Sequence, residues 1–210
     1  MTLSLTSFTL GPLENNTYLL VTDDLRAAVI DPPLGSDPLA RVIKEKGLTL
    51  EYILLTHAHF DHIAGISTLA AVCPVPPKVF LHSADLPLWQ EHGLASTFGI
   101  DINLPLEPDT LLSNQTMIIF GDCKIEVRHA PGHSPGHTIF YLPDQNFALC
   151  GDVIFKNGIG RTDLPGGDYA MLIKSIKDQI FSLPAEIILY PGHGPKTCVA
   201  DEKLNNPFFY

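Results

Sequence analysis

The chain has little positive charge, few cysteines and no long apolar run, and each shortage narrows what it can do. Lys and Arg number 13 against 23 Asp and Glu, a formal net charge of −10. Nucleic-acid readers present a basic stripe to phosphates, so no nucleic-acid partner is expected. No stretch of about 18 consecutive apolar residues occurs, which leaves no membrane-spanning helix to expect. Cysteine is limited to Cys73, Cys123, Cys150 and Cys198, with no Cys-x-x-Cys pair. A chain of 210 residues needs no disulfide staples, so free, mostly buried thiols in a reducing cytoplasm are expected. Met1-Thr2-Leu3-Ser4 has no basic region and no long apolar stretch, so no secretory signal is read there. Linkers, low-complexity tracts and repeats are also missing, and residues 1–210 are read as a single domain.

What the chain does have is a dense histidine cluster. Thr56-His57-Ala58-His59-Phe60-Asp61-His62 places three imidazoles and a carboxylate within six positions. It follows Tyr52-Ile53-Leu54-Leu55, a short apolar run that reads as a buried strand. In extended chain, side chains two apart point the same way, so His57 and His59 can grip one ion while Asp61 and His62 reach a neighbouring one.

The apolar pattern predicts strands in clusters with helices between them. Strands are expected at 17–21 and 27–30, then at 52–55 and 79–81. More are expected at 117–120, 124–129, 138–142, 147–150 and 187–190. Helices are expected from Ser36 as cap to about Lys46, over 63–72, over 83–92, and over 169–181 with Asp168 as cap. Residues 93–110 read as irregular, a mobile or substrate-facing loop.

Three further positions repeat the setting of the first cluster. His133, Asp152 and His193 each follow a strand and a glycine: Gly132, Gly151 and Gly192. Glycine lets the backbone turn sharply and come close to an ion. The set is then five histidines and two aspartates, and zinc accepts both nitrogen and oxygen donors. A natural division puts His57, His59 and His133 on one ion and Asp61, His62 and His193 on a second, with Asp152 bridging. Two such ions can share a hydroxide nucleophile at neutral pH, and Asp61 can orient it. The cations would also neutralise part of the acidic charge locally. His82, His92 and His129 read as ordinary surface or core residues. His137 and Asp31 are candidates to orient ligand imidazoles, and Asp31-Pro32 alternatively forms a turn.

These residues resemble the metallo-β-lactamase superfamily over nearly the whole chain. Thr56 to His62 is similar to its T-H-x-H-x-D-H signature, and His133, Asp152 and His193 follow in the order of its remaining ligands. The resemblance implies an αβ/βα four-layer sandwich, two mixed sheets flanked by helices, with a dinuclear site at one edge. The bridging Asp with five His resembles the glyoxalase II (hydroxyacylglutathione hydrolase) branch. Gly151-Asp152-Val153-Ile154-Phe155, Gly158 to Asp163 and Asn206-Pro207-Phe208 resemble its short, single-domain bacterial members. No C-terminal helical glutathione-binding domain is read in 1–210. Where that branch holds glutathione with a Lys and a Tyr two positions later, this chain has Arg161 and Asp163. Asp163 cannot replace the Tyr and is expected to pair with Arg161.

The resemblance implies an enzyme that hydrolyses acyl thioesters, S-D-lactoylglutathione to D-lactate and glutathione first among them, as in methylglyoxal detoxification. It implies two divalent ions, zinc foremost, with iron and manganese also suited to the ligands. Arg161 and Lys196 are the candidate substrate contacts. The expected partner is a small-molecule thioester such as a glutathione conjugate, with no nucleic acid and no membrane, in a cytoplasmic monomer or homodimer. A related alternative is persulfide dioxygenase, which uses one iron on the equivalents of His57, His133 and Asp152 and shares Gly160-Arg161-Thr162-Asp163. Lactonase or β-lactamase-like hydrolysis and a non-catalytic metal-binding module are further alternatives.

Overall fold

The central strands read as continuous apolar runs because both of their faces are covered. A computed structural model describes residues 3–210; Met1 and Thr2, part of the segment read above for an export signal, lie outside them. The first sheet holds β1 (Leu3–Leu10), β2 (Asn15–Thr22), β3 (Arg26–Ile30), β4 (Thr49–Leu54), β5 (Lys78–His82) and β6 (Thr110–Leu112), in that spatial order. Its first three strands are antiparallel and its last four parallel, so it is mixed.

The second sheet begins with β7 (Met117–Phe120), β8 (Cys123–His129), β9 (Thr138–Leu142) and β10 (Phe147–Gly151). A small hairpin follows, β11 (Ile154–Phe155) and β12 (Gly158–Ile159). The sheet is completed by β13 (Ile188–Pro191) and β14 (Thr197–Cys198), giving the order β14-β13-β10-β9-β8-β7. Only its β10–β13 pair is parallel.

Helices α1 (Asp37–Glu45), α2 (Phe60–Ile63), α3 (Ile66–Ala70) and α4 (Leu86–Gln90) belong to the first half of the chain, α5 (Tyr169–Ser175) and α6 (Val199–Asn205) to the second. Alternation along each strand sorts side chains into layers. Leu20, Ile30, Leu54, Phe120, Phe140 and Leu149 fill the space between the sheets. Leu19, Val29 and Ile53 point the other way, against Leu39 and Ile43 of α1 and Leu69 of α3. On the far side, Ile139, Ala148 and Leu189 meet Leu172 of α5 and Val199 of α6. Each fully buried Leu, Ile or Phe contributes about 1.5–3 kcal/mol. The result is the expected four-layer sandwich. No helix among the described residues is long and apolar enough to cross a membrane.

Some local expectations change. The helix expected over 63–72 is broken between α2 and α3. Gly65 packs so close to the 33–36 loop that a Cβ would lie 2.3 Å from Ser36 Oγ, and its N–H bonds Pro32 O at 2.9 Å. Ser36 precedes α1 as expected, but its hydroxyl donates to Pro33 O rather than capping the helix. Asp168 does cap α5, accepting from Met171 N at 2.9 Å. The expected helix over 83–92 is a 3₁₀ turn, Ser83–Asp85, running into α4. The stretch 93–110 is mostly irregular, with a 3₁₀ segment at its start that includes Gly93 and Leu94 at positive φ.

Candidate metal centre

Every ligand candidate leaves the end of a strand at the same edge of the sandwich. His57 to His62 follow β4, His133 lies between β8 and β9, Asp152 follows β10, and His193 follows β13. The two sheets are joined there by Thr138 N–H bonding Thr56 O at 2.7 Å. Backbone geometry at the glycines permits the convergence. Gly151 adopts φ +48, and a Cβ on Gly192 would lie 2.1 Å from Asp152 Oδ1.

The rings are aimed by hydrogen bonds on their outward nitrogens. His133 Nδ1–H donates to Arg161 O at 2.8 Å, and His193 Nδ1–H donates to Leu13 O at 3.0 Å. A ring donating from Nδ1 keeps its Nε2 lone pair free. His57 Nδ1 lies 3.0 Å from Thr56 Oγ1, which itself donates to Asp31 Oδ2 at 2.6 Å. The same Asp31 oxygen is 3.1 Å from His62 Nδ1. Asp31 therefore reaches one candidate ring through Thr56 and lies within ion-pair distance of a second, as well as shaping a turn at φ +51.

The inward atoms form three overlapping groups: His57, His59 and His133; His57, His62 and Asp152; and Asp61, His62 and His193. Atoms within each lie inside 4.8 Å of one another. His59 Nδ1 and His133 Nε2 face each other at 2.9 Å. Two nitrogen lone pairs at that distance need a proton or a cation between them. Asp152 touches both halves: its Oδ1 is 3.5 Å from His62 Nε2, and its Oδ2 is 3.7 Å from His133 Nε2 and 3.6 Å from His193 Nε2. Buried His57 Nε2, His62 Nε2 and Asp152 Oδ1 have no hydrogen-bond partner within the protein. Unpartnered buried polar atoms are costly, and here they converge on one point. The donors fit a pair of divalent cations.

Charge within the cluster is polarised. Burial works to raise the Asp152 carboxyl, but His62, His133 and His193 override it and hold the group far below the carboxylate range. Burial opposes ionisation of Asp61 too, yet the facing His62 ring and hydrogen bonding, Asn15 included, hold it down to about 2. Burial and the neighbouring rings push His57 far down, and burial with His133 takes His59 to about 3. Both aspartates are thus anionic and both rings neutral, the states in which they bind metal. His62 goes the other way, since Asp152 and Asp61 outweigh its burial and raise it.

Two supporting residues were not legible in the sequence. Asn15 Nδ2–H donates to Asp61 Oδ2 at 2.9 Å, from the first residue of β2. Asp85, fully buried, accepts from Ala58 N at 3.1 Å, Ser134 Oγ at 2.8 Å and Gly136 N. His137 is also fully buried; it stacks on His57 with ring centroids 4.7 Å apart, and its Nε2 accepts from Asp152 N at 3.0 Å.

A cavity of about 670 Å³ opens onto His59, Asp61, His133, Asp152 and His193. Arg161 reaches its wall, paired in a fork with Asp163 through two 2.7 Å contacts. Lys196, expected as a substrate contact, is not on that wall; its ammonium lies 5.8 Å from the centre of the Tyr190 ring, held by the aromatic face.

The family model for the metallo-beta-lactamase superfamily matches residues 10–193. The chain belongs to this superfamily. It is 37% identical over 202 residues to hydroxyacylglutathione hydrolase GloC of Haemophilus influenzae, covering 93% of this chain and 92% of that one. It is 34% identical over 197 residues to the human mitochondrial persulfide dioxygenase ETHE1, covering 91% of this chain and 70% of that one. Among solved structures, the BLEG-1 B3 metallo-beta-lactamase superposes with a TM-score of 0.91 at 37% identity, covering 98% of this chain and 99% of that one. TTHA1623, solved in a di-iron-bound form, gives 0.87 at 40% identity, covering 97% and 99%. Membership makes the chain a metallohydrolase-superfamily protein whose His/Asp cluster suits divalent metals.

Proposed function

We propose that the protein is a metal-dependent hydrolase of acyl thioesters, S-D-lactoylglutathione among them. The observation that carries this is Asp152, whose two oxygens lie against both halves of a five-histidine, two-aspartate cluster. Two divalent ions bound there, zinc or iron, would supply a hydroxide at neutral pH and polarise the thioester carbonyl. His57, His59 and His133 would hold one, Asp61, His62 and His193 the other, and Asp152 both.

The chain's own residues perform the rest. Asn15 fixes the Asp61 carboxylate, which stays ionised and accepts a hydrogen bond from the attacking water. Asp31 and Thr56 keep the His57 and His62 rings from turning. Water adds to the acyl carbon, the carbon–sulfur bond breaks, and the sulfur leaves as thiolate to take up a proton. The kinship to GloC supports the thioester reading.

The kinship to ETHE1 and the Gly160-Arg161-Thr162-Asp163 stretch favour a second reading, oxidation of a persulfide. Release of free thiol from S-D-lactoylglutathione supports hydrolysis. Oxygen uptake with glutathione persulfide, and no thiol release, supports the alternative.

A further inference from the structure

The Asn206-Pro207-Phe208 ending bears on the cavity through a buried carboxylate. Glu202 of α6 and Asn206 just beyond it are both fully buried. Three donors satisfy the carboxylate, as burial demands: Thr197 Oγ1 at 2.6 Å, Asn157 N at 3.0 Å and Asn206 Nδ2 at 2.8 Å. Asn206 Nδ2 also donates to Gly158 O at 3.0 Å. Asn157 and Gly158 lie at the tip of the β11–β12 hairpin. Its arms carry Phe155 and Ile159, both on the cavity wall, and the Phe155 ring faces that of His193 with centroids 6.1 Å apart. The base of the hairpin is held separately. Gly160 N–H bonds Val153 O at 3.4 Å, and a Cβ on Gly160 would lie 1.9 Å from Asp152 O. The metal edge therefore fixes the base, and α6 fixes the tip.

We propose that Glu202 is a positioning residue for substrate: through Asn157 and Asn206 it holds the hairpin so that Phe155 and Ile159 stand as a wall of the cavity. It sets how tightly substrate is held and takes no part in bond breaking. The inference rests on the thioester-hydrolase reading of the site. Without the carboxylate, the Asn157 N–H and the Thr197 hydroxyl lose a buried acceptor, and the tip is released while the base stays pinned beside Asp152. Glutamine fits the same place. Its oxygen accepts from Asn157 and Asn206, and its amide N–H donates to Thr197 Oγ1.

The test measures S-D-lactoylglutathione hydrolysis by the metal-loaded protein and by its Glu202→Ala, Glu202→Gln and Asn206→Ala variants. In Glu202→Ala the expected KM rises about tenfold with kcat within about twofold, the pattern of lost substrate binding rather than lost chemistry. Glu202→Gln stays near the wild type. Asn206→Ala leaves the carboxylate its Thr197 and Asn157 donors, and its KM should fall between the two; it carries the test if Glu202→Ala does not fold. Amide exchange over 155–160 should quicken in Glu202→Ala, with metal content at the wild-type level. Unchanged KM in Glu202→Ala or Asn206→Ala would overturn the proposal. So would a loss confined to kcat, or a Glu202→Gln protein as impaired as Glu202→Ala. If the wild type leaves the thioester intact and takes up oxygen with glutathione persulfide, the thioester reading fails, and the same KM pattern with that substrate decides the role of Glu202.

Discussion

The carboxylate of Asp85 accepts the Ser134 hydroxyl at 2.8 Å, and through its other contacts it fastens two ligand loops to each other. Ala58, between His57 and His59, donates to the same oxygen, and Gly136, just beyond His133, donates to the other. A fully buried carboxylate is costly unless satisfied; this one has three donors, and burial still raises its pKa. Asp85→Ala strands those donors, at a cost of about 3 kcal/mol. For a chain of this size that lowers Tm by roughly 6–12 °C. Metal content should fall with it, measured by calorimetry and elemental analysis on one preparation.

Asn15 contacts two of the seven candidates, donating to Asp61 Oδ2 at 2.9 Å and lying 3.3 Å from His193 Nε2. Asn15→Ala frees the Asp61 carboxylate to rotate and removes this neighbour of His193, without touching the other five. Loss of such an outer contact costs about 10–100-fold in activity or metal affinity. The expected result is a kcat reduced in that range with a near-normal Tm. An unchanged kcat would remove Asn15 from the site.

His59→Ala and Asp152→Ala remove the contacts on which the centre depends. Each should lower turnover by about 10³-fold or more, the equivalent of several kcal/mol of transition-state stabilisation. Circular dichroism should show both folded, since the sandwich core lies between and outside the sheets rather than at this edge.

The seven candidate residues were legible because each lies just beyond an apolar run, and the structure places them together at one edge. The strands of the sheet interiors were legible for the same reason, as continuous apolar segments. Strands β1, β6 and β14, the β11–β12 hairpin and α6 were not, being short, half exposed or defined by partners distant in sequence. Asn15 and Asp85 were invisible because their roles exist only across contacts of 46 and 27–51 residues. Lys196 misled because a lysine beside a ligand loop reads as a substrate contact, while an aromatic ring nearby holds it instead.

A pH effect arises away from the metal centre. His82 stacks on His129 with ring centroids 4.0 Å apart, and its Nδ1 accepts from Ala84 N. Burial, then the facing His129 ring, lowers His82 to about 4. Its folded pKa lies below the unfolded value of about 6.5, so the unfolded chain binds more protons between those limits. The stabilising effect is full above about pH 6.5 and is lost as pH falls toward 4. After discounting for solvent screening it amounts to about 1–2 kcal/mol. Urea unfolding at pH 7 and pH 4.5 should show His82→Gln losing less stability on acidification than the wild type.

One paired measurement decides whether this edge of the sandwich holds two ions and cleaves a thioester. Metal content per chain and S-D-lactoylglutathione hydrolysis should be measured on one sample purified without added metal. The expected result is about two ions per chain with thiol release that chelation abolishes. A single iron with no hydrolysis, or hydrolysis that persists in a metal-free sample, would contradict it.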